Sequence, residues 1–517
     1  MKAARETNTY SIIKEQSERL GDKTYVIFSQ SKRSLSFRQL LHGVQNYSQY
    51  FTESGLTQNE SVALVAKNDL EGLVAYFSLL SMGVLVYRVN EASPPNEIFT
   101  YIQRFDCDYI IHDRSVSKLI PYLSKVPRCL PRMAVIELAS LDALKDKQIS
   151  DGTEAQMLAV SDQNPSICVF TSGSTGEPKG IVSSQKSLVF AANLLRCHGL
   201  TSDDRVLSVT PLSGTNGQVF TLWTPLVTGG SAVVYQGLFT AYGACSAMEE
   251  YDVTWFNGTP THVSIFVNDF VDRRDCDYSK LKFFRSASAP LPPALKQQFE
   301  SRYALPIIET MGLSEMTGMV FANPVEQAKQ KLGSVGQSVQ TEVKVTDDEG
   351  HQLEVGDVGE LRVRSKGLML GYHNDATSTR AAIEDGWLKT GDLGSIDDEG
   401  FIFVKGRKKD IIIIGGHNVA LKEVDEVLYR NQHVLYAVSF GIDDQLTGEK
   451  IVCCIVPKRH GFDDETHILA FCRENMASYK CPSEIRFCKS VPLGGSGKIL
   501  RHKTKQLFIE DRLDGSS

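Results

Sequence analysis

The chain has 517 residues, 42% hydrophobic and 23% charged, with a formal net charge of −7. That length is too great for one compact core and implies two or more domains, and the acidic balance argues against a nucleic-acid or anionic-membrane partner for the chain as a whole. Eleven cysteines, an odd number with no C-x-x-C pair, point to reduced thiols and a cytoplasmic setting.

Met1–Gln16 is polar and lacks a signal-peptide core. The longest apolar stretch, Leu73–Tyr87, is too short for a membrane span. Between Tyr10 and Glu53, helical periodicity surrounds a strand-like Tyr25–Phe28, with a helix expected from Arg38 to Tyr50. Ser61–Val65 reads as a buried strand, Asp69–Ser81 as an apolar helix and Val84–Tyr87 as the next strand. That order implies a parallel sheet covered by helices. Ile110-Ile111 and Met133–Ile136 extend it, and Asp142–Asn164 reads as a polar connection without a period.

Apolar Ile167–Phe170 then runs into Thr171-Ser172-Gly173-Ser174-Thr175-Gly176-Glu177-Pro178-Lys179-Gly180. Three glycines, four hydroxyls and a lysine supply the backbone N–H groups, side-chain donors and charge that a polyphosphate needs. Composition alone leaves phosphate binding and a plain connection equally open. Strand–helix alternation resumes with a helix over Ser187–Gly199, a strand over Arg205–Val209, a helix over Gln218–Trp223 and a strand from Val233.

Several later blocks place chemistry-bearing residues at strand ends. Leu281–Arg285 leads into Ser286-Ala287-Ser288-Ala289-Pro290, whose small side chains allow a flat ligand close to the backbone; a turn before the helix Pro293–Tyr303 is the plain alternative. Thr310-Met311-Gly312-Leu313-Ser314-Glu315 puts a carboxylate after a glycine turn, where it suits a magnesium ion or merely water. Glu342–Arg364 changes to short alternating strands, a β-rich subdomain. Asp392, between Gly391 and Gly394, offers two acceptor oxygens to a ribose or to its own turn. Arg407-Lys408-Lys409 is a basic turn, Glu423–Arg430 an exposed helix, and Tyr436–Phe440 and Lys450–Val456 are strands of a small C-terminal domain. Lys498 lies on the glycine-rich turn Gly494-Gly495-Ser496-Gly497.

T-S-G-S-T-G-x-P-K-G at 171–180, with the later blocks in order, resembles the adenylate-forming superfamily of acyl-CoA synthetases, carrier-protein adenylation domains and luciferases. The resemblance spans nearly the whole chain. It implies an α/β fold: a large N-terminal adenylation domain (1–408) of two α/β lobes plus the β-rich subdomain, and a small mobile α+β C-terminal domain (409–517). It implies ATP-dependent activation of a carboxylic acid to an acyl-adenylate with release of pyrophosphate. Transfer to a pantetheine thiol, of CoA or of a separate carrier protein, then gives a thioester.

By the same resemblance Lys498, Lys179 and Arg407 are catalytic. Thr171, Ser172, Gly173, Ser174, Thr175, Gly176, Ser288, Ala289, Pro290, Met311, Gly312, Ser314, Asp392 and Arg407 bind ATP or AMP. Glu315 serves Mg²⁺, Lys409 is the hinge, and Gly416 borders the pantetheine tunnel. Met311 and Ser314 depart from the family's aromatic and threonine. Ser213, Gly214, Asn216 and Gln218 line the acyl pocket. Asn216 falls where members that activate amino acids carry Asp, so an α-amino acid is disfavoured and an aryl, hydroxy or small dicarboxylic acid stays open. The rival classes are a luciferase-like oxidative enzyme and a non-catalytic nucleotide-binding relative.

Overall fold

Two sheets dominated by parallel strands form the larger part of the molecule. The computed structural model describes residues 8–90, 93, 95–113, 134–171, 179–269, 271–272, 277–414, 417–444, 447–459, 461–493 and 499–513. Among these, one sheet has seven strands and runs spatially from Gly371–Tyr372 through Lys179–Ser184, Pro165–Thr171, Leu85–Arg88, Ser61–Val65 and Tyr109–His112 to Ala134–Glu137. The other has nine strands, with Arg205–Ser208, Trp255–Gly258, Phe283–Ser286 and Ile307–Leu313 at its centre.

The helix Leu70–Ser81 shows why these sheets hold together. Every residue but Glu71 is buried, so the helix is apolar on all faces and fits only between layers. Asp69 caps it by accepting from the Gly72 N–H. Its Tyr76 hydroxyl donates to Gln218 Oε1 at 2.8 Å and accepts from Trp223 Nε1 at 3.2 Å, which ties the helix to the segment after the second sheet's first central strand.

That segment is more irregular than its periodicity suggests. Thr215–Gly217 is one α-helical turn, Gln218–Trp223 is a π-helix, and Thr224–Thr228 returns to α. The wider π-turn adds a residue per turn and so changes which side chains share a face. A Cβ on Gly217 would lie 2.0 Å from the Pro211 carbonyl oxygen, so the close turn there needs glycine.

The polar connection Asp142–Asn164 is not without structure. It contains helices Leu141–Leu144 and Asp151–Leu158, each started by a serine, Ser140 or Ser150, accepting from the N–H three residues on. The strand Ile307–Leu313 also runs straight through Gly312, with a bulge rather than a turn at Met311/Gly312. Asp392 likewise lies within a strand, Trp387–Ile396, where Gly391 takes φ +69°.

The strands Glu342–Thr346, Gly359–Arg364, Ile383–Glu384, Trp387–Ile396 and Ile402–Arg407 form the β-rich sheet. Beyond the turn Lys408–Asp410, a separate sheet packs against the helices Leu421–Tyr429 and Glu465–Asn475. Leu421–Tyr429 is amphipathic rather than exposed, with Leu421, Val424, Val427 and Leu428 buried. Arg501 pairs with Asp425 at 2.8 Å and approaches Asp410 at 3.8 Å, linking the turn to the C-terminal part. Among the described residues no helix is long and apolar enough to cross a membrane.

Glu309 is a buried carboxyl on the strand beside Phe283–Ser286, and burial raises its pKa to about 7. Its proton is therefore bound more tightly in the folded chain than in the unfolded one. The stability this contributes is complete below the unfolded value of 4.5 and disappears as pH rises through 7. Glu309→Gln, which mimics the protonated form, should stabilise the fold by up to about 3 kcal/mol at pH 8 and by almost nothing at pH 4.5. Thermal unfolding of both proteins at the two pH values checks this, and an equal difference at both would refute it.

Candidate active site

A cavity of about 2000 Å³ opens between the two large sheets, the β-rich sheet and the C-terminal part. Its walls bring together residues from distant parts of the sequence. Lys179, Ser213, Gly214, Asn216, Ser288, Ala289, Pro290, Gly312, Ser314, Glu315, Arg407 and Lys409 all contribute to it.

Lys179 begins the strand that returns from the glycine-rich loop, and the register Thr171↔Lys179 closes that loop at its base. Its Nζ donates to Ser378 Oγ at 2.8 Å and lies 4.9 Å from the centroid of the Tyr372 ring. The Tyr372 hydroxyl donates to Glu315 Oε1 at 3.2 Å. Burial and the neighbouring Glu315 carboxylate push the Tyr372 phenol well above its ordinary pKa, so it stays a donor. One tyrosine thus holds a cation over its ring and a carboxylate at its hydroxyl. Sequence reasoning missed Tyr372 and Ser378. Tyr372 reaches the site because Gly371–Tyr372 pairs antiparallel with Lys179–Ser184, a contact with no local signature.

Asp392 and Arg407 face each other across two neighbouring strands, and Arg407 Nε donates to Asp392 Oδ1 at 2.8 Å. Asp392 is buried and Arg407 partly exposed to the cavity. The guanidinium therefore sits where an anion in the cavity can reach it while the carboxylate anchors it.

Thr215 Oγ1 donates to Ser314 Oγ at 3.2 Å, joining the 213–217 segment to the strand end that carries Glu315. Asn216 Nδ2 donates to Ser288 Oγ at 3.4 Å, with Ser288 at φ +73°, a conformation few non-glycine residues adopt. Asn216 Oδ1 accepts from Arg285 Nη1 at 2.7 Å. Arg285 was not singled out from the sequence, although a charge in the apolar run Phe283-Phe284-Arg285 is the kind of signal that marks a functional position.

Three expected site residues, Gln218, Met311 and Asp392, are not on the cavity wall; Asp392 is buried against Arg407, which is on it. Gln218 is 1% exposed, with its amide between the Tyr76 hydroxyl and the Ser213 carbonyl. It supports the 213–217 segment from behind and is not part of the cavity wall. Met311 is partly buried against the β-rich core and does not line the cavity either; Gly312, Leu313 and Ser314 do. The bulge at Met311/Gly312 breaks the strand's regular alternation at this point, so Leu313 lines the cavity and Met311 does not.

Ser172, Gly173, Ser174, Thr175, Gly176, Gly416 and Lys498 lie outside the described residues, as does the side chain of Thr171. The described flank of Lys498 reaches the site: Ile499, Leu500 and Arg501 line the cavity, and Leu493↔Ile499 forms an antiparallel bridge across the turn. Among the described residues no cluster of three or more His, Cys, Asp or Glu side chains is arranged for a metal. A hard cation entering with a polyphosphate needs fewer protein ligands, and the Glu315 carboxylate on the wall fits that demand.

Residues 13–373 match the family described as AMP-binding enzyme, and residues 423–498 match the AMP-binding enzyme C-terminal domain. The chain is 31% identical over 489 residues to sulfoacetate–CoA ligase of Cupriavidus necator, covering 93% of this chain and 94% of that protein. It is 28% identical over 475 residues to oxalate–CoA ligase of Arabidopsis thaliana, covering 90% and 91%. The crystal structure of the anthranilate CoA ligase AuaEII in complex with anthranoyl-AMP superposes with a TM-score of 0.87 at 25% identity, over 99% of this chain and 98% of that one.

Proposed function

The chain belongs to the AMP-binding enzyme family, and from that premise we propose how its residues carry out the reaction and which thiol it uses. It is an acid–thiol ligase. It activates a small carboxylic acid with ATP to an acyl-adenylate, releases pyrophosphate, and forms a thioester with CoA. The observation that carries the residue assignment is the single cavity that brings Lys179, Glu315, Arg407 and the 213–217 segment together.

In the first half-reaction a carboxylate oxygen attacks the α-phosphorus and pyrophosphate leaves. Two anions must meet, so the barrier is set by electrostatics and positioning. Lys179, held by Ser378 and Tyr372, faces the β- and γ-phosphates. Arg407 meets the α-phosphate and ribose, and Asp392 accepts from the ribose hydroxyls. Ser288, Ala289, Pro290, Gly312 and Ser314 border the adenosine. Glu315 would hold Mg²⁺, which would supply positive charge to offset that of the triphosphate. Lys498 bridges the incoming carboxylate and the α-phosphate. In the second half-reaction the CoA thiol gives up its proton to solvent, its sulfur bonds the acyl carbon, and the bond to AMP breaks.

Residues 1–408 and 409–517 form the two domains of this account, with Lys409 as hinge. Lys409 lies in the short turn Lys408–Asp410. A proline there would fix φ and restrict Lys408 as well. Lys409→Pro should lower thioester formation about tenfold more than adenylation, because only the second step requires the domain to turn. Equal losses in the two half-reactions would contradict the hinge.

CoA is the acceptor we propose in preference to a carrier protein, since sulfoacetate–CoA ligase and oxalate–CoA ligase both carry CoA in their names. Their acids, sulfoacetate and oxalate, also set the size range expected here. The nine described cysteines are all free thiols, which suits a reducing, cytoplasmic setting. Incubation with ATP, an acid panel and either CoA or a pantetheinylated carrier protein tests the acceptor. Acyl-CoA with AMP in equal amounts is expected, and thioester on the carrier alone would overturn the assignment.

A further inference from the structure

Arg285 has no part in the reaction described above, yet its surroundings are unusual for an arginine. It sits on the strand Phe283–Ser286, is 2% exposed, and still forms part of the cavity wall. Nη1 donates to Asn216 Oδ1 and to Asn257 Oδ1, both at 2.7 Å. The guanidinium lies 4.0 Å from the centroid of the Phe220 ring. All three neighbours are neutral. Among the described residues no carboxylate pairs with Arg285, and its buried Nε donates to nothing. Asn257 Nδ2, beside it in register, is also buried without an acceptor.

Burial lowers the Arg285 pKa to about 9, so it is still a cation at neutral pH. A desolvated cation with no counter-charge destabilises the empty protein. Two amide oxygens and an aromatic face orient the fork without neutralising it. The planar fork is shaped to hold two oxygens of one anion. It lies against Asn216, in the segment assigned to the acid.

We propose that Arg285 is the receptor for a second anionic group on the substrate, so that the chain activates small acids bearing a carboxylate or sulfonate distal to the reacting carboxyl. This rests on the adenylation reading above. The distal group accepts from the guanidinium, while Asn216 and Asn257 hold the fork in place. A neutral tail would leave the cation buried and unpaired, and an ammonium would be repelled.

The test compares malonate, sulfoacetate and propionate in acid-dependent pyrophosphate exchange by the wild-type protein, Arg285→Met and Arg285→Lys. Binding is followed in parallel by the shift in melting temperature with each acid. The wild type should favour malonate or sulfoacetate over propionate by about 100-fold in kcat/KM. Arg285→Met should lose that ratio, and Arg285→Lys, with charge but no fork, should keep part of it. Whichever of malonate and sulfoacetate is preferred names the distal group.

The wild-type panel needs no variant to fold. Exchange with propionate at a rate matching or exceeding the dianions would overturn the inference and leave adenylation standing. Exchange with none of the acids, but a dianion-induced melting shift lost in Arg285→Met, would support the receptor and count against adenylation. Neither exchange nor shift would overturn both.

Discussion

Replacing Lys498 by alanine is expected to lower acid-dependent pyrophosphate exchange by about 1,000-fold or more while leaving thioester formation from supplied acyl-adenylate and CoA within a few-fold of normal. The asymmetry follows from charge. In adenylation an anionic carboxylate approaches an anionic phosphate, and an ammonium between them offsets the repulsion that develops. In thioester formation the electrophile is a carbonyl carbon, and AMP leaves without a second anion approaching phosphorus. The residue that follows Lys498 in the chain, Ile499, lines the cavity and bridges to Leu493. Assay of the two half-reactions separately checks the prediction. Equal loss in both would remove Lys498 from its assigned position between carboxylate and phosphate.

Asp392→Ala should raise the KM for ATP roughly 100-fold, because hydrogen bonds from two ribose hydroxyls to one carboxylate are charge-assisted. A second effect follows from the pair with Arg407. Truncating the buried carboxylate removes the anchor at 2.8 Å from a guanidinium that faces the cavity, so kcat should fall as well. Asp392→Asn keeps one acceptor oxygen and should be milder on both counts. The KM for the acid should change little in either variant. A variant that raised the KM for the acid and spared that for ATP would contradict the ribose assignment.

Local rules made much of the framework legible. Ser61–Val65 and Pro293–Tyr303 have the bounds expected from the sequence, the first because it is a continuous buried apolar run and the second because Pro293 suits a first helical turn. Leu141–Leu144 and Asp151–Leu158 were missed because they bury few apolar residues. Their signal was the serine caps at Ser140 and Ser150, not a stripe. Lys179, Glu315 and Arg407, singled out as residue types in motifs, are brought to one cavity. The partners of Lys179 were not singled out. Tyr372 and Ser378 meet Lys179 only because a short strand far along the chain pairs with the strand that Lys179 begins. Gln218 and Met311 were assigned by position in a motif, but side-chain direction depends on the π-turn and on the bulge at Met311/Gly312, which spacing alone does not reveal. Arg285 is the instructive omission. A lone charge next to two buried phenylalanines marks a place where folding accepts a cost that a ligand can offset.

Every residue role above serves acid-driven adenylation or follows from it. The measurement that tests it is exchange of labelled pyrophosphate into ATP by the purified wild-type protein, with Mg²⁺ and a panel of small acids and without CoA. Exchange that appears only when a suitable acid is added, and that is lost in Lys498→Ala, is the predicted result. Exchange independent of any acid, or acyl-CoA formation from acid, ATP and CoA without any exchange, would contradict it.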